Sequence, residues 1–394
     1  MIKIDSESFD WNTLKEIYSC IAERVIKKYQ LYKKNNGNLH LIIAFDQYFG
    51  EDEKIQKEKI LSFLLFSRIT KMKEIIKYFN ASSLSCNNTV SYHLVLKLFY
   101  LSPKVIVKNV LNILNNQLNI AGTDDWLLFV KNFNSFFANQ EENILSKDMK
   151  KNFIKTNSEY LDMFEILNWN SNIEQFMSYD MLTIDERHKI LKAMNIQTCP
   201  YCNRQYISCW ELEKNKKVKS TADIDHFFIK SRYPILSLCL YNFIPCCHVC
   251  NSRLKLDKDF YINEHIYPYE EEYGENGKFE LDTIDYLYGY KPQFSIHISG
   301  DDDNERKINN SINTFKINAL YRNHEDYISE LIRRAQIYTD SQIDELYKKY
   351  GGMFKSRKEI ETFIFGNYIE TKNFIKRPLS KLTTDILEDL GIDL

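Results

Sequence analysis

Apolar and polar positions alternate along this chain with two different periods. In DWNTLKEIYSCIAERVIKKYQLYKK (10–34), Trp11, Leu14, Ile17, Tyr18, Ile21 and Val25 recur at three- and four-residue spacing. That pattern predicts a helix with one buried stripe, and Asp10 stands where an N-cap would. KNNGN interrupts it. The same period continues through EKIQKEKILSFLLFSRITKMKEIIKYF (53–79), SPKVIVKNVLNILNN (102–116) and DWLLFVKNFNSFF (125–137). In TIDERHKILKAMN (183–195), Thr183 and Glu186 have the spacing of a capping box. Residues 196–260 change character: QYISCW, ADIDHFF and YNFIP read as short strands, and HVCNSRLKLDKDF suits a helix. KFELDTI and QFSIHIS alternate like strands, and SGDDDNE reads as an exposed turn. From Ser311 helices return, in NTFKINALYRNHEDYISELIRRAQIY and DSQIDELYKKYGG. The fold class expected is therefore α+β: a mainly helical chain with a small strand-containing module inside it.

Composition narrows this picture. Of 394 residues, 44% are hydrophobic and 14% aromatic, too many for a disordered chain. A formal charge of −2 provides no general attraction to nucleic acid or membrane, so any such affinity must be local. Residues 260–305 hold 12 acidic residues against Lys278 and Lys291, which reads as a solvated acidic surface. No apolar run approaches the length of a membrane span and the start MIKIDSESFDW does not resemble a signal peptide, so a cytoplasmic protein without membrane contact is expected.

The cysteines are unevenly spread. Seven of the nine fall between Cys199 and Cys250, and four of these form two Cys-X-X-Cys pairs, Cys199/Cys202 and Cys247/Cys250, with 44 residues between them. Two such knuckles offer four thiolates to one tetrahedral ion, which points to structural zinc. Cys209, Cys239 and Cys246 have no partner at ligand spacing and read as small buried hydrophobes. His248, inside the second knuckle, is taken as structural.

The stretch between the knuckles, ADIDHFFIKSRYPILSLCLYNFIPCCHVCNSRLK (222–255), carries Asp225-His226, Asn242 sixteen residues after His226, Asn251 beside the second knuckle, and Lys255. In this order the residues resemble the HNH (ββα-metal) endonucleases with zinc knuckles. CPYCNR, LYNFIPCCHVCN, ALYRNHED and RPLSKLTTDIL make the likeness closest to the HNH subunit of Septu-type and retron-associated bacterial antiphage systems. Leu256 departs from the pattern, standing where glycine is frequent.

The resemblance implies a phosphodiester hydrolase with His226 as general base, a role its neutral imidazole suits. Asp225 and Asn251 would hold a catalytic Mg²⁺ or Mn²⁺, for which their hard oxygens are appropriate. Asn242 would fix the His226 loop or ring, and Lys255, Arg253 and Lys230 would contact nucleic acid, DNA before RNA. Strand alternation sends Asp225 and His226 to opposite faces, so both serve one site only where the strand ends or twists. Residues 196–259 hold ten basic residues against six acidic, a modest local excess. The organisation expected is a helical region (1–190), a zinc-stapled HNH module (191–262) and an acidic linker with a helical C-terminal region (263–394). The resemblance also implies a partner ATPase. The alternative is a non-catalytic zinc-ribbon adaptor that binds nucleic acid or a partner.

Overall fold

A computed structural model describes residues 1–35, 37–83, 105–106, 144–145, 165–213, 217–282 and 284–392. These fall into two units, one built from residues 15–182 and 228–242, the other from 1–14, 183–227 and 243–394. The two Cys-X-X-Cys pairs thus share a unit with the C-terminal region.

In the first unit, α1 (Trp11–Lys34), α2 (Leu39–Phe49), α3 (Glu53–Phe66), α4 (Ile69–Ser83) and α5 (Glu165–Phe176) supply the helices. The 53–79 pattern is two helices, because the backbone turns extended at Ser67 and closes the first one there. Tyr29 packs on Phe45 at 4.3 Å, and Phe176 stands edge-on to Phe45 at 5.2 Å. Asp46 is a polar hub in this core: Lys33 Nζ (2.6 Å), Tyr29 Oη (2.8 Å) and Gln56 Nε2 (3.2 Å) all donate to it. Burying the carboxylate among three donors avoids the penalty of an unpaired charge. Within 102–116 the described part is the strand β1 (Val105–Ile106), antiparallel to β2 (Ile144–Leu145); the remainder of that stretch and all of 125–137 lie outside the described residues.

The second unit contains α6 (Ile184–Met194), whose Thr183/Glu186 capping box forms as the sequence indicates. Three antiparallel pairs follow: β3 (Cys209–Glu211) with β4 (Val218–Ser220), β5 (Ala222–His226) with β6 (Phe243–Cys247), and β7 (Gly277–Leu281) with β8 (Phe294–Ile298). After β8 come α7 (Asp302–Phe315), α8 (Ile317–Tyr321), α9 (Glu325–Ile337), α10 (Asp340–Tyr350), α11 (Arg357–Phe365) and α12 (Ser380–Asp389). SGDDDNE is not a turn. Asp301 caps α7 by accepting from Asn304 N at 2.9 Å, and Asp302, Asp303 and Glu305 fill the first turn, where negative charge favours a helix. The stretch read as helical over 313–338 is interrupted at Lys316, which takes a left-handed conformation (φ 51°).

Helix α12 is buried along nearly its whole length. Its Asp385 and Asp389 accept the amides of Phe279 (3.0 Å) and Leu281 (2.9 Å), giving β7 partners that a third strand would otherwise provide.

His265 is buried in this unit, stacked on Phe260 at 4.0 Å, with Nε2 on the Thr314 hydroxyl at 3.0 Å. Burial, helped by Lys258 and Lys255, pulls its pKa down to about 4. A histidine depressed on folding contributes stability that is complete above its unfolded pKa and lost as pH falls toward 4. The loss expected between pH 7 and pH 4 is about 3 kcal/mol. Urea midpoints across that range should fall less in His265→Gln than in the wild type; equal falls would remove His265 from the explanation.

Candidate functional site

The first knuckle is a turn closed by Asn203 N on Cys199 O (2.7 Å) and Cys199 N on Gln205 O (3.0 Å). Asn203 sits in the left-handed region (φ 47°), which asparagine tolerates better than most residues. Its side chain is buried in the C-terminal segment: Nδ2 donates to Phe374 O (3.1 Å) and Oδ1 accepts from Lys381 N (3.2 Å). Its carbonyl accepts Leu379 N at 2.6 Å, and Tyr321 Oη donates to Cys202 O at 2.6 Å. The distant ALYRNHED and RPLSKLTTDIL stretches therefore brace the knuckle.

The second knuckle begins where β6 ends at Cys247. Cys250 N points at Cys247 Sγ (3.5 Å), and the chain continues as a wide helical turn, Val249–Lys255, with Leu256 N reaching back to Asn251 O (3.1 Å). Such i to i+5 turns often occur at functional sites. Leu256 ends it at φ 54°, a conformation glycine would adopt without strain.

The two turns bring Cys199, Cys202, Cys247 and Cys250 together, all buried, with their sulfurs within 4.8 Å of one another. Cys202 and Cys247 are 4.0 Å apart, close to the edge of about 3.8 Å between sulfurs bound tetrahedrally to zinc. Burial pushes the Cys199 thiol well up, whereas Cys247 is held far below the ordinary thiol range by hydrogen bonds, chiefly from Cys199. The cluster can hold a metal ion. Among the described residues, Cys209, Cys239 and Cys246 stay outside it, the latter two buried, as the sequence suggests.

Beside the cluster, β5 pairs Asp225 with Ile244 and His226 with Phe243. Asp225 is 5% exposed and both of its oxygens are engaged: Tyr201 Oη donates at 2.5 Å and Lys255 Nζ at 2.7 Å. Desolvation, then the Asp225 charge, pushes the Tyr201 hydroxyl well above its usual pKa, so it remains a donor. Lys255 also donates to His226 O (3.0 Å) and is 1% exposed. This corrects its assignment as a nucleic-acid contact: an ammonium inside an ion pair does not reach a phosphate. Arg253 and Lys230 are exposed, Lys230 lying over the Tyr179 ring at 4.8 Å.

His226 is 7% exposed, its ring edge-on to Phe243 at 5.1 Å. Asn242 is fully buried; Oδ1 accepts Phe228 N (2.7 Å) and Nδ2 donates to Phe228 O and Leu236 O (both 3.0 Å). It thus clamps the backbone two residues past His226.

Asn251 does not join Asp225. Its Nδ2 donates to Asp223 Oδ2 at 3.1 Å, and His248 Nδ1 meets the same oxygen at 3.0 Å. With Lys255 beside Asp225 and Asn251 on a different carboxylate, Asp225 and Asn251 as folded do not make a shared cation site. Sequence reasoning passed over Asp223 and read His248 as structural, whereas the structure joins Asp223 to both His248 and Asn251. Their signal was present: Asp223 shares a strand face with Asp225, and His248 lies three residues before Asn251. Compared with family models, curated proteins and solved structures, the chain matches none. No helix among the described residues is long and apolar enough to cross a membrane.

Proposed function

We propose that the protein is an HNH-type nuclease that hydrolyses phosphodiester bonds, in DNA before RNA, as the effector of a bacterial antiphage system acting with a partner ATPase. The observation carrying this reading is the order β5, β6, helical turn, with Asp225 and His226 ending the first strand, Asn251 on the turn, and the junction of β6 and the turn tied through Cys247 and Cys250 to one four-cysteine cluster. Zinc is the ion proposed for the four thiolates: a closed set of soft ligands suits a structural ion. His226 takes the proton of the attacking water, with Asn242 holding the following backbone and Lys255 the His226 carbonyl. Arg253, exposed on the turn, is free of the buried ion pair and meets the phosphate.

A zinc-ribbon adaptor without catalysis is the second reading. The burial of His226 and the saturation of Asp225 favour it. Purified protein, with and without the partner ATPase, should cleave DNA or RNA when Mg²⁺ or Mn²⁺ is added. His226→Ala should reduce the rate by about 10²–10⁴-fold while zinc content and melting stay unchanged. Absence of cleavage in every arm would favour the adaptor, and full cleavage by a folded His226→Ala protein would remove the base assignment.

A further inference from the structure

We propose that the first unit binds a nucleoside phosphate in a cavity between α2, α3 and α4. The cavity measures about 370 Å³; Tyr48, Phe49, Phe63 and Phe66 supply its rings, and Lys59 and Lys71 its charged groups. That volume lies in the range of small-molecule sites. Lys59, Phe63 and Phe66 are spaced i, i+4, i+7 and so share one face of α3. Tyr48 and Phe49 end α2, and Lys71 lies in the first turn of α4, just past the break at Ser67. The inner wall is firmly packed: Phe49 stands edge-on to Phe63 at 5.5 Å and to Tyr48 at 4.8 Å. Phe66 differs, being 51% exposed. A planar ring stacked on it would take that apolar surface out of water.

Charge selects the ligand. Among the described residues the cavity wall carries two ammonium groups and no carboxylate. Lys59 is exposed, and no ion pair among the described residues engages it. Lys71 has its Nζ 5.7 Å from the centre of the Tyr48 ring and meets Glu74 at 3.1 Å, an exposed pair of the kind that contributes little and that a phosphate can replace. Two lysines repel a cationic ligand, and a neutral ring leaves them unused. An aliphatic carboxylate meets the charges but forgoes the stacking on Phe66. A planar base bearing a phosphate satisfies both halves of the wall, the base against the phenyl ring and the phosphate oxygens accepting from Lys59 and Lys71.

Equilibrium dialysis of the zinc-loaded full chain against each of the four nucleoside 5′-monophosphates tests the site. No divalent cation is added and no cleavage is read, so the outcome is independent of the nuclease reading. One nucleotide should bind per chain, less tightly as salt is raised, because half of the recognition is ionic. Lys59→Gln, Lys71→Gln and Phe66→Ala, all at exposed positions, should each weaken binding by about tenfold, which for Phe66 is within the range of one base stacked on an aromatic side chain. Lys77→Gln, exposed on α4 and outside the cavity wall, should leave binding unchanged. Unphosphorylated nucleosides, inorganic phosphate and octanoate each lack one half of the recognised chemistry and should bind at least about tenfold more weakly. No nucleotide bound at millimolar concentration, unaltered affinity in the three cavity variants, or inorganic phosphate or octanoate bound as tightly as the nucleotides would overturn the site.

Discussion

Cys247→Ser should purify with little zinc and lose the cooperative melting of the unit that contains it. Metal binding and folding are linked because the unfolded chain has no preformed site, and the free energy of structural zinc in small domains is about 10–16 kcal/mol. Here the four sulfurs close two turns whose surroundings depend on them. Cys247 ends β6 and starts the helical turn, and the first knuckle anchors Leu379, Lys381 and Tyr321. Removing one thiolate leaves three buried sulfurs with an incomplete ligand set. Elemental analysis and calorimetry measure both effects, with Cys209→Ser, outside the cluster, as the control. Wild-type protein free of zinc, or a Cys247→Ser protein that melts like the wild type, would defeat the prediction.

The second large effect concerns the ion pair between Lys255 and Asp225. Lys255→Met should destabilise the protein by about 3–5 kcal/mol, because it strands a buried carboxylate with Tyr201 as its remaining hydrogen-bond donor. Replacing both charges should be far milder: in Lys255→Met combined with Asp225→Leu, most of the lost stability should return, since the penalty lies in the uncompensated charge and not in the absence of the pair. Denaturant unfolding of the zinc-loaded proteins gives the comparison. A double variant no more stable than the single one would show that the pair matters through shape or backbone contact, the Lys255 bond to His226 O being the first candidate.

Much of this architecture was legible because its causes are local. Apolar spacing marked α1, side-chain chemistry marked the Thr183 cap, and the spacing of four cysteines marked a cluster that the fold then assembles. The breaks at Ser67 and Lys316 were not legible, since periodicity on both sides runs through them and only backbone geometry reveals the stop. SGDDDNE was misread because its acids suit a turn and a helix N-terminus alike, and the choice depends on Asp301 capping Asn304. Lys255 was misread for a different reason. A lysine on a short polar helix is nearly always solvated, and its burial here is decided by Asp225, thirty residues away in the sequence. Asn251 likewise meets a carboxylate 28 residues away, that of Asp223, although each residue was visible in the sequence.

The bonds between Asn203 and the 374–381 segment span 171 to 178 residues of sequence. During synthesis, at about 5–20 residues per second, the first knuckle leaves the ribosome some ten seconds or more before its brace exists. The nascent chain can therefore capture its metal while the knuckle is still unsupported, and the finished centre is locked only once nearly all of the chain has been made. A four-cysteine centre assembled in this order stays unbraced through most of translation.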